Sequence, residues 1–138
     1  MRYHKFMFMG FIGAILIVGI LLFNSNLIPT PKYSNENNKG ENIQLIVDYD
    51  NGTVKIIKDI TVIANNNTVF DVLQAFCMIK YKEYTNDAVF IYSIDNIENK
   101  NPYYWQYWVN DTYAPVGASH YYLSDADEIE WKYGFTNF

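Results

Sequence analysis

Few side chains in this sequence have the types and spacing that catalysis or metal binding requires. After residue 42 the chain contains one histidine, His120, and one cysteine, Cys77. Neither a histidine pair for a metal ion nor a closely spaced Cys–His pair for nucleophilic catalysis is therefore available. His120 follows Gly117-Ala118-Ser119 and is interpreted as a loop or edge residue. Cys77 lies in an apolar stretch and is interpreted as a small core residue.

Carboxylates are plentiful, but their spacing singles out no reactive pair. Asp125, Asp127 and Glu128 could offer oxygens to a calcium ion, yet the ~12-residue loop with ligands at alternating positions is absent. A polar turn is the favoured interpretation of these residues. A pair of carboxylates for glycosidic cleavage stays open, because nothing distinguishes one pair from another. We therefore expect a protein that is not an enzyme, with no metal site, and an enzyme is the less favoured alternative.

Aromatic residues are the feature in which the sequence departs most from ordinary composition. They make up 18% of the chain, and the segment 103–133 holds seven of the 13 tyrosines and all three tryptophans. Large aromatic side chains offer broad contact area and lose little rotamer entropy on binding, which favours ligand or partner recognition. Alternatively, the same residues serve as core and satisfy strand propensity, and both interpretations stay open.

A strand predicted over residues 103–109 distributes these aromatics over two faces, because successive side chains of a strand point to opposite sides. A single helix covers only one side of a sheet, so we expect one face to be core and the other to be open. The first face carries Tyr103, Trp105, Tyr107 and Val109, and the second carries Tyr104, Gln106 and Trp108.

Alternating hydrophobicity predicts further strands on both sides of one helix. Strands are expected over 43–49 and 53–63, joined by a hairpin at Asp50-Asn51-Gly52. Another is expected over 89–94, and a last one follows the turn Ser124-Asp125-Ala126-Asp127. In the last strand a buried set alternates with a solvated set. The buried set is Ile129, Trp131 and Tyr133, and the solvated set is Glu128, Glu130 and Lys132.

An amphipathic helix is predicted over residues 69–81. Thr68 and Asp71 have a spacing related to the capping box that starts helices. Apolar residues then recur at helical intervals, so one side of the helix must pack on a sheet. The order of elements predicts an α+β fold, a β-grasp-like mixed sheet with one amphipathic helix on one face.

Residues 6–23 form an unbroken run of 18 residues without a polar side chain. At ~1.5 Å per residue such a helix rises about 27 Å, close to the hydrocarbon thickness of a bilayer. Arg2 and Lys5 precede the run, so the N-terminus is expected in the cytoplasm and the rest of the chain outside. A cleaved secretory signal is the alternative, although the small residues of a cleavage site do not follow the run.

Three parts are therefore predicted along the chain. Residues 1–23 form a cytoplasmic tip and a transmembrane anchor, residues 24–42 form a polar linker, and residues 43–138 form an extracytoplasmic domain at the cell surface. That domain has six lysines, no arginine and 13 acidic residues, a formal charge of −7. Nucleic acid is excluded as a partner class, because its binding needs a cationic surface.

Short motifs in a particular order and spacing run through nearly all of residues 43–135. They are Thr68-Val69-Phe70-Asp71-Val72-Leu73, Ser93-Ile94-Asp95-Asn96-Ile97, Tyr104-Trp105-Gln106, Val109-Asn110-Asp111, Gly117-Ala118-Ser119 and Asp125-Ala126-Asp127-Glu128-Ile129-Glu130-Trp131. Together they resemble the small C-terminal domain of transcobalamin and intrinsic factor, a module that also occurs in membrane-anchored and cell-surface proteins of bacteria and archaea. The resemblance implies a β-grasp-like fold. Ala126 stands where the family has a turn glycine.

In those vitamin carriers the module contacts cobalamin, so the resemblance implies a corrinoid as a possible ligand. It implies contact through the strand that holds Tyr104-Trp105-Gln106 and through the stretch just ahead of Ser93. The expected function is a membrane-tethered, extracytoplasmic binding module for a corrinoid or a cell-surface protein partner. The alternative is a structural envelope subunit whose aromatic face mediates assembly. The candidate binding residues are Trp105, Gln106, Tyr107, Trp108, Phe90, Ile91, Tyr113 and Tyr121.

Overall fold

Two β-sheets and one α-helix make up most of the regular structure of residues 35–136, the part of the chain that the computed structural model describes. In chain order the elements are β1 (Gly40–Asp48), β2 (Val54–Val62), α1 (Val69–Phe76), β3 (Ile79–Glu83), β4 (Val89–Ile94), β5 (Ile97–Glu98), β6 (Tyr103–Val109), β7 (Thr112–Tyr113) and β8 (Glu128–Phe135).

The larger sheet has five strands in the order β2-β1-β8-β6-β7, and the smaller has the order β3-β4-β5. In the larger sheet β1 and β8 are parallel, with Leu45 opposite Ile129, and the other neighbours are antiparallel. The sheet is therefore mixed, and the fold is mostly β with one α-helix. The predicted mixed sheet with a single helix is confirmed at this level.

The predicted membrane anchor at residues 6–23 lies outside the described residues. Between residues 35 and 136, no helix has the length and apolar character needed to cross a bilayer. The strand β1 begins at Gly40, three residues before the predicted start at Ile43, so the last residues assigned to the linker belong to a strand.

The helix starts where it was predicted and ends earlier. The Asp71 amide donates to Thr68 Oγ1 over 3.1 Å, and the Thr68 amide donates to Asp71 Oδ2 over 2.9 Å, which completes a capping box. The prediction that the helix reaches residue 81 is wrong. Cys77 is already extended, and β3 starts at Ile79, because this segment pairs with β4 instead of continuing the helix.

Several of the strands are joined by tight turns whose residues have the left-handed backbone conformation, with positive φ. Asp95 and Asn96, between β4 and β5, both have positive φ, and so do Asn110 and Asp111, between β6 and β7. Paired positive φ values suit two-residue hairpins, and Asn and Asp tolerate them. Ala126 adopts φ +61°, so the last turn keeps its left-handed residue without the glycine of the resembled family.

The core lies between one face of the five-stranded sheet and a covering layer made of α1 and the smaller sheet. From the sheet, Leu45, Trp105 and Trp131 are at most 5% exposed. From the covering layer, Leu73 and Ile94 are fully buried. Burial of this apolar surface is the main stabilising contribution to the fold.

A polar cluster around Asp95 joins the covering layer to the first hairpin. Its carboxylate accepts hydrogen bonds from the Tyr49 hydroxyl (2.5 Å), from Lys55 Nζ (2.7 Å) and from the Met78 amide (2.8 Å). Lys55 Nζ also donates to the carbonyl of Phe76, the last residue of α1, over 3.2 Å. The Asp95 side chain thus connects the β4–β5 turn with Tyr49, which follows β1, with Lys55 on β2, and with Met78, which lies between α1 and β3.

Asp95 should make the stability of the fold depend on pH. Partial burial alone would raise the pKa of its carboxyl, but the hydrogen bonds from Lys55, Tyr49 and Met78 outweigh burial and hold the pKa below its usual range. A lowered folded pKa means that the stabilisation is present above about pH 4 and is lost as the pH falls through the folded value. Asp95→Asn should lower the free energy of unfolding at neutral pH by about 1–3 kcal/mol and flatten its decline towards low pH.

Urea unfolding at several pH values measures both effects. Glu98→Gln is the matched control, because it removes the Lys80–Glu98 pair, whose side chains are both more than half exposed. It should change stability by less than about 0.5 kcal/mol. An Asp95→Asn variant with the stability and acid sensitivity of the wild type would contradict the role assigned to the cluster.

Candidate functional site: an open aromatic sheet face

The face of the five-stranded sheet opposite the core carries a row of side chains that crosses all five strands. Strand register places Ile56 beside Ile46, Ile46 beside Glu130, Glu130 beside Trp108, and Trp108 beside Tyr113. Ile56 is 54% exposed and Tyr113 is 58% exposed. The row therefore has two isoleucines at one end, Glu130 in the middle and two aromatic residues at the other end, on the side of the sheet opposite the core.

Trp108 is at the centre of the aromatic half of this row. Its ring meets the Tyr113 ring edge-on at 5.4 Å between centroids. Lys132 Nζ lies 4.8 Å from the centroid of Trp108 and also forms an ion pair with Glu130 at 3.0 Å. A cation near an indole face is attracted by the ring quadrupole. These contacts hold Trp108 in one orientation while leaving it half-buried.

Gln106 extends the surface along β6. It stands directly opposite Lys132 on β8 and is half-buried, and Tyr104, two residues earlier, lies on the same side of the strand. The amide of Gln106 adds a hydrogen-bond donor and an acceptor to an otherwise aromatic surface. We call this surface the open face and define it by Tyr104, Gln106, Trp108, Tyr113 and Lys132.

Three of the other candidate residues lie in the core. Trp105 and Tyr107, on the opposite side of β6, are 5% and 8% exposed, and Ile91 is 4% exposed. Trp105 Nε1 donates to the Ile97 carbonyl at 2.8 Å, and the Tyr107 hydroxyl donates to the Val116 carbonyl at 2.5 Å. Burial raises the pKa of Tyr107 above its usual range. In this structure these three residues are part of the core.

Phe90 and Tyr121 belong to neither group. Phe90 is 44% exposed on β4, on the side opposite buried Ile91. Tyr121 is half-buried and packs its ring edge against Tyr107 at 6.3 Å. The structure thus brings Gln106, Trp108 and Tyr113 together and leaves the remaining five candidates elsewhere.

Some residues on this side of the sheet could not be identified from their own sequence neighbourhood. Lys132 and Glu130 were expected on a solvated side of the last strand, and that side is the open face. Their position beside Trp108 depends on the pairing of β6 with β8, which brings together residues about two dozen positions apart. Ile46 and Ile56 join the row through β1 and β2, and nothing local indicated this.

Ser119, His120 and Cys77 carry groups that can act in catalysis, but their contacts do not activate them. Ser119 Oγ lies 3.3 Å from His120 Nδ1, but the hydroxyl donates its proton to the Asp87 carbonyl at 2.8 Å. Burial first, and the nearby Asp95 charge second, raise the pKa of Cys77 to about 11, so its thiol stays protonated at neutral pH. Among residues 35–136 no three His, Cys, Asp or Glu side chains converge on a possible metal ion.

Residues 35–136 form a mostly β domain with one helix, and the elements of this part of the chain pack on one face of the larger sheet. The chain belongs to the family described as Domain of unknown function (DUF4430), whose model matches residues 66–134. The match runs from the turn before α1 through most of β8 and omits the β1–β2 hairpin. No curated protein matches the chain.

Two solved structures share the fold. A candidate metal binding protein from Ruminococcus gnavus ATCC 29149 is 14% identical with a TM-score of 0.59, over 71% of this chain and 99% of that protein. Haptocorrin in complex with Cbi is 14% identical with a TM-score of 0.60, over 75% of this chain. The chain spans only 27% of haptocorrin. At this identity the similarities show a shared fold and no more.

The two faces of β6 should respond differently to mutation. Trp105→Ala removes a buried indole and should lower the free energy of unfolding by about 3–5 kcal/mol. Trp108→Ala removes a half-buried ring with one aromatic and one cationic contact, and should cost about 1 kcal/mol. Urea unfolding followed by circular dichroism compares the two variants. Equal losses would contradict the assignment of one face to the core and the other to solvent.

Proposed function

We propose that this chain is a membrane-tethered, extracytoplasmic binding module that takes a corrinoid on the open face. The observation that carries the proposal is the edge-to-face contact between half-buried Trp108 and exposed Tyr113, on the side of the sheet opposite the core. Large, oriented aromatic side chains are the usual anchors of binding surfaces because they contribute area at low entropic cost.

The chemistry of the open face suits a broad planar ligand with polar groups at its rim. The rings of Trp108 and Tyr113 supply apolar contact for the body of such a ligand. The Gln106 amide can donate and accept hydrogen bonds, and Lys132 can donate them, so both can serve peripheral amides. A flat sheet contacts only one side of the ligand, so we expect micromolar affinity and not tighter binding.

The comparisons support this choice of ligand class. Haptocorrin shares the fold and was solved with Cbi, a cobalamin analogue. A shared fold alone does not transfer a ligand, and identity is low, so the argument depends on the side chains of the open face. The β-grasp-like description of the fold belongs to the same proposal, and the central parallel pair β1 and β8 supports it.

The proposed tether and location rest on the sequence. The apolar run at residues 6–23 would cross the membrane, with Arg2 and Lys5 on the cytoplasmic side and the domain outside. The domain would bind without catalysing a reaction. This part of the proposal is based on the Ser119 hydroxyl, which donates to the Asp87 carbonyl, and on the Cys77 thiol, which is protonated at neutral pH.

Self-association through the same side of the sheet, including its β2 edge, is the second candidate function. The exposed side chains of Val54 and Ile56 on β2, 49% and 54% exposed, favour it because β2 is an edge strand of the sheet. Exposed apolar edge strands are ready sites for pairing with another chain. In this case the open face would be an assembly surface of a structural envelope subunit.

Calorimetric titration of the detergent-solubilised full-length chain with cobinamide and with cobalamin tests the proposal. The wild type should give a saturable heat, and Trp108→Ala should bind about tenfold more weakly because it removes a central anchor. Tyr103→Ala is the matched control. It removes an exposed tyrosine from the same strand, outside the open face, and should leave binding unchanged.

Two results would decide against the corrinoid. No heat at millimolar ligand would exclude the domain as a binder of either compound, and unchanged binding by Trp108→Ala would move the site elsewhere. Sedimentation of the same variants addresses the second function. A wild-type oligomer that becomes monomeric in Trp108→Ala, with no corrinoid heat in either protein, would establish assembly instead.

A further inference from the structure

A cavity of about 390 Å³ lies on the covering layer, away from the open face. The N-terminal turn of α1, the segment 83–89 and the residues around Ser119 line it, and none of the five residues of the open face does. Its volume falls within the range of small-molecule sites. A hydrogen bond within the segment 83–89, from the Tyr84 amide to the Ala88 carbonyl at 2.8 Å, stabilises its conformation.

The lining of the cavity is acidic. It includes Glu36, Asp71, Glu83 and Asp87 and contains no lysine, arginine or histidine. The Asp71 carboxylate accepts hydrogen bonds in the capping box. Glu36, Glu83 and Asp87 take part in none of the ion pairs among residues 35–136. Uncompensated carboxylates around one concave surface produce a negative potential that attracts a cation.

A buried amide gives a second indication of a ligand. Asn67 also lines the cavity and is fully buried. Its Nδ2 donates to the carbonyls of Asn35 and Asn38, at 2.8 and 3.1 Å, which fixes the orientation of the amide. Its Oδ1 accepts no hydrogen bond from residues 35–136. Buried acceptors are rarely left unsatisfied, so a donor from a ligand would complete this one.

The arrangement fits an extended organic cation better than a metal ion. Among the described residues, no three His, Cys, Asp or Glu side chains form a group that could hold a metal ion. Phe70 and Tyr84 add aromatic surface to the lining, and Tyr84 is 59% exposed. Aromatic faces attract alkylammonium groups, and carboxylates accept their N–H donors.

We propose that this cavity binds a small organic polycation, an alkyl diamine or polyamine, with its ammonium groups on Glu36, Glu83 and Asp87. An N–H group of the ligand would donate to Asn67 Oδ1. The site is separate from the open face and does not depend on a corrinoid.

Calorimetric titration of the full-length chain with spermidine at low ionic strength tests the proposal. The wild type should bind saturably, and added salt should weaken binding because charges at a solvent-open site are screened. Asp87→Asn and Glu83→Gln should each bind about fivefold to tenfold more weakly, as expected from the loss of one charge-assisted contact. Trp108→Ala should bind spermidine like the wild type.

Asp111→Asn is the matched control for Asp87→Asn. Both aspartates are exposed, and both have the left-handed backbone conformation, with φ of +63° at Asp111 and +57° at Asp87. Asparagine adopts this conformation readily, so both variants should keep the fold. Only the Asp87 change should weaken binding. Absence of saturable binding, equal losses in the two variants, or displacement of spermidine by an equimolar amount of calcium chloride would overturn the proposal.

Discussion

One layer of helix and short sheet can cover only one face of a five-stranded sheet, and this constraint shapes the rest of the domain. The eight residues of α1 and the strands β3 to β5 bury one side. On β6 and β8, alternate residues must therefore go either to the core or to the other side. Trp105 and Trp131 go to the core, and Trp108 and Lys132 go to the open face. The same two strands therefore supply both the buried residues that stabilise the sheet and the residues of the open face.

The covering layer stays in position through a few polar contacts at its edges. Asp95 connects the β4–β5 turn with Tyr49 and Lys55. Directly after β5, Asn99 Oδ1 accepts from the Trp105 amide at 2.8 Å and joins the smaller sheet to β6. These contacts are formed between segments distant in sequence, so they fix the layer as a unit. A fixed layer keeps the core side of β6 closed and the open face in one geometry.

Local patterns predicted much of the secondary structure. The bounds of β4 and β6 agree with the alternation of their residues, and the helix start agrees with Thr68 and Asp71. The end of the helix was misjudged because Ile79 and Tyr81 continue the helical spacing and also fit alternation. Pairing with β4 decides between the two, and pairing partners are not visible in a local pattern.

The candidate site was predictable only in part, for the same reason. Alternation separated Trp105 from Trp108 correctly, but it could not indicate which of them faces the core. Burial against α1 and β4 determines that choice. The neighbours of Trp108, namely Lys132 on β8 and Tyr113 on β7, depend on strand register across the sheet. The role of Asp95 likewise depends on residues about 40 positions before it in the chain.

The central claim is that the side of β6 carrying Trp108 is the open, ligand-binding side. Hydroxyl-radical footprinting of the full-length chain, read by mass spectrometry with and without cobinamide, tests it most directly. Trp108 and Tyr113 should be oxidised rapidly in the free protein and protected by cobinamide, while Trp105 and Trp131 should react slowly in both states. Rapid oxidation of Trp105, or the absence of protection at Trp108 and Tyr113, would contradict the account.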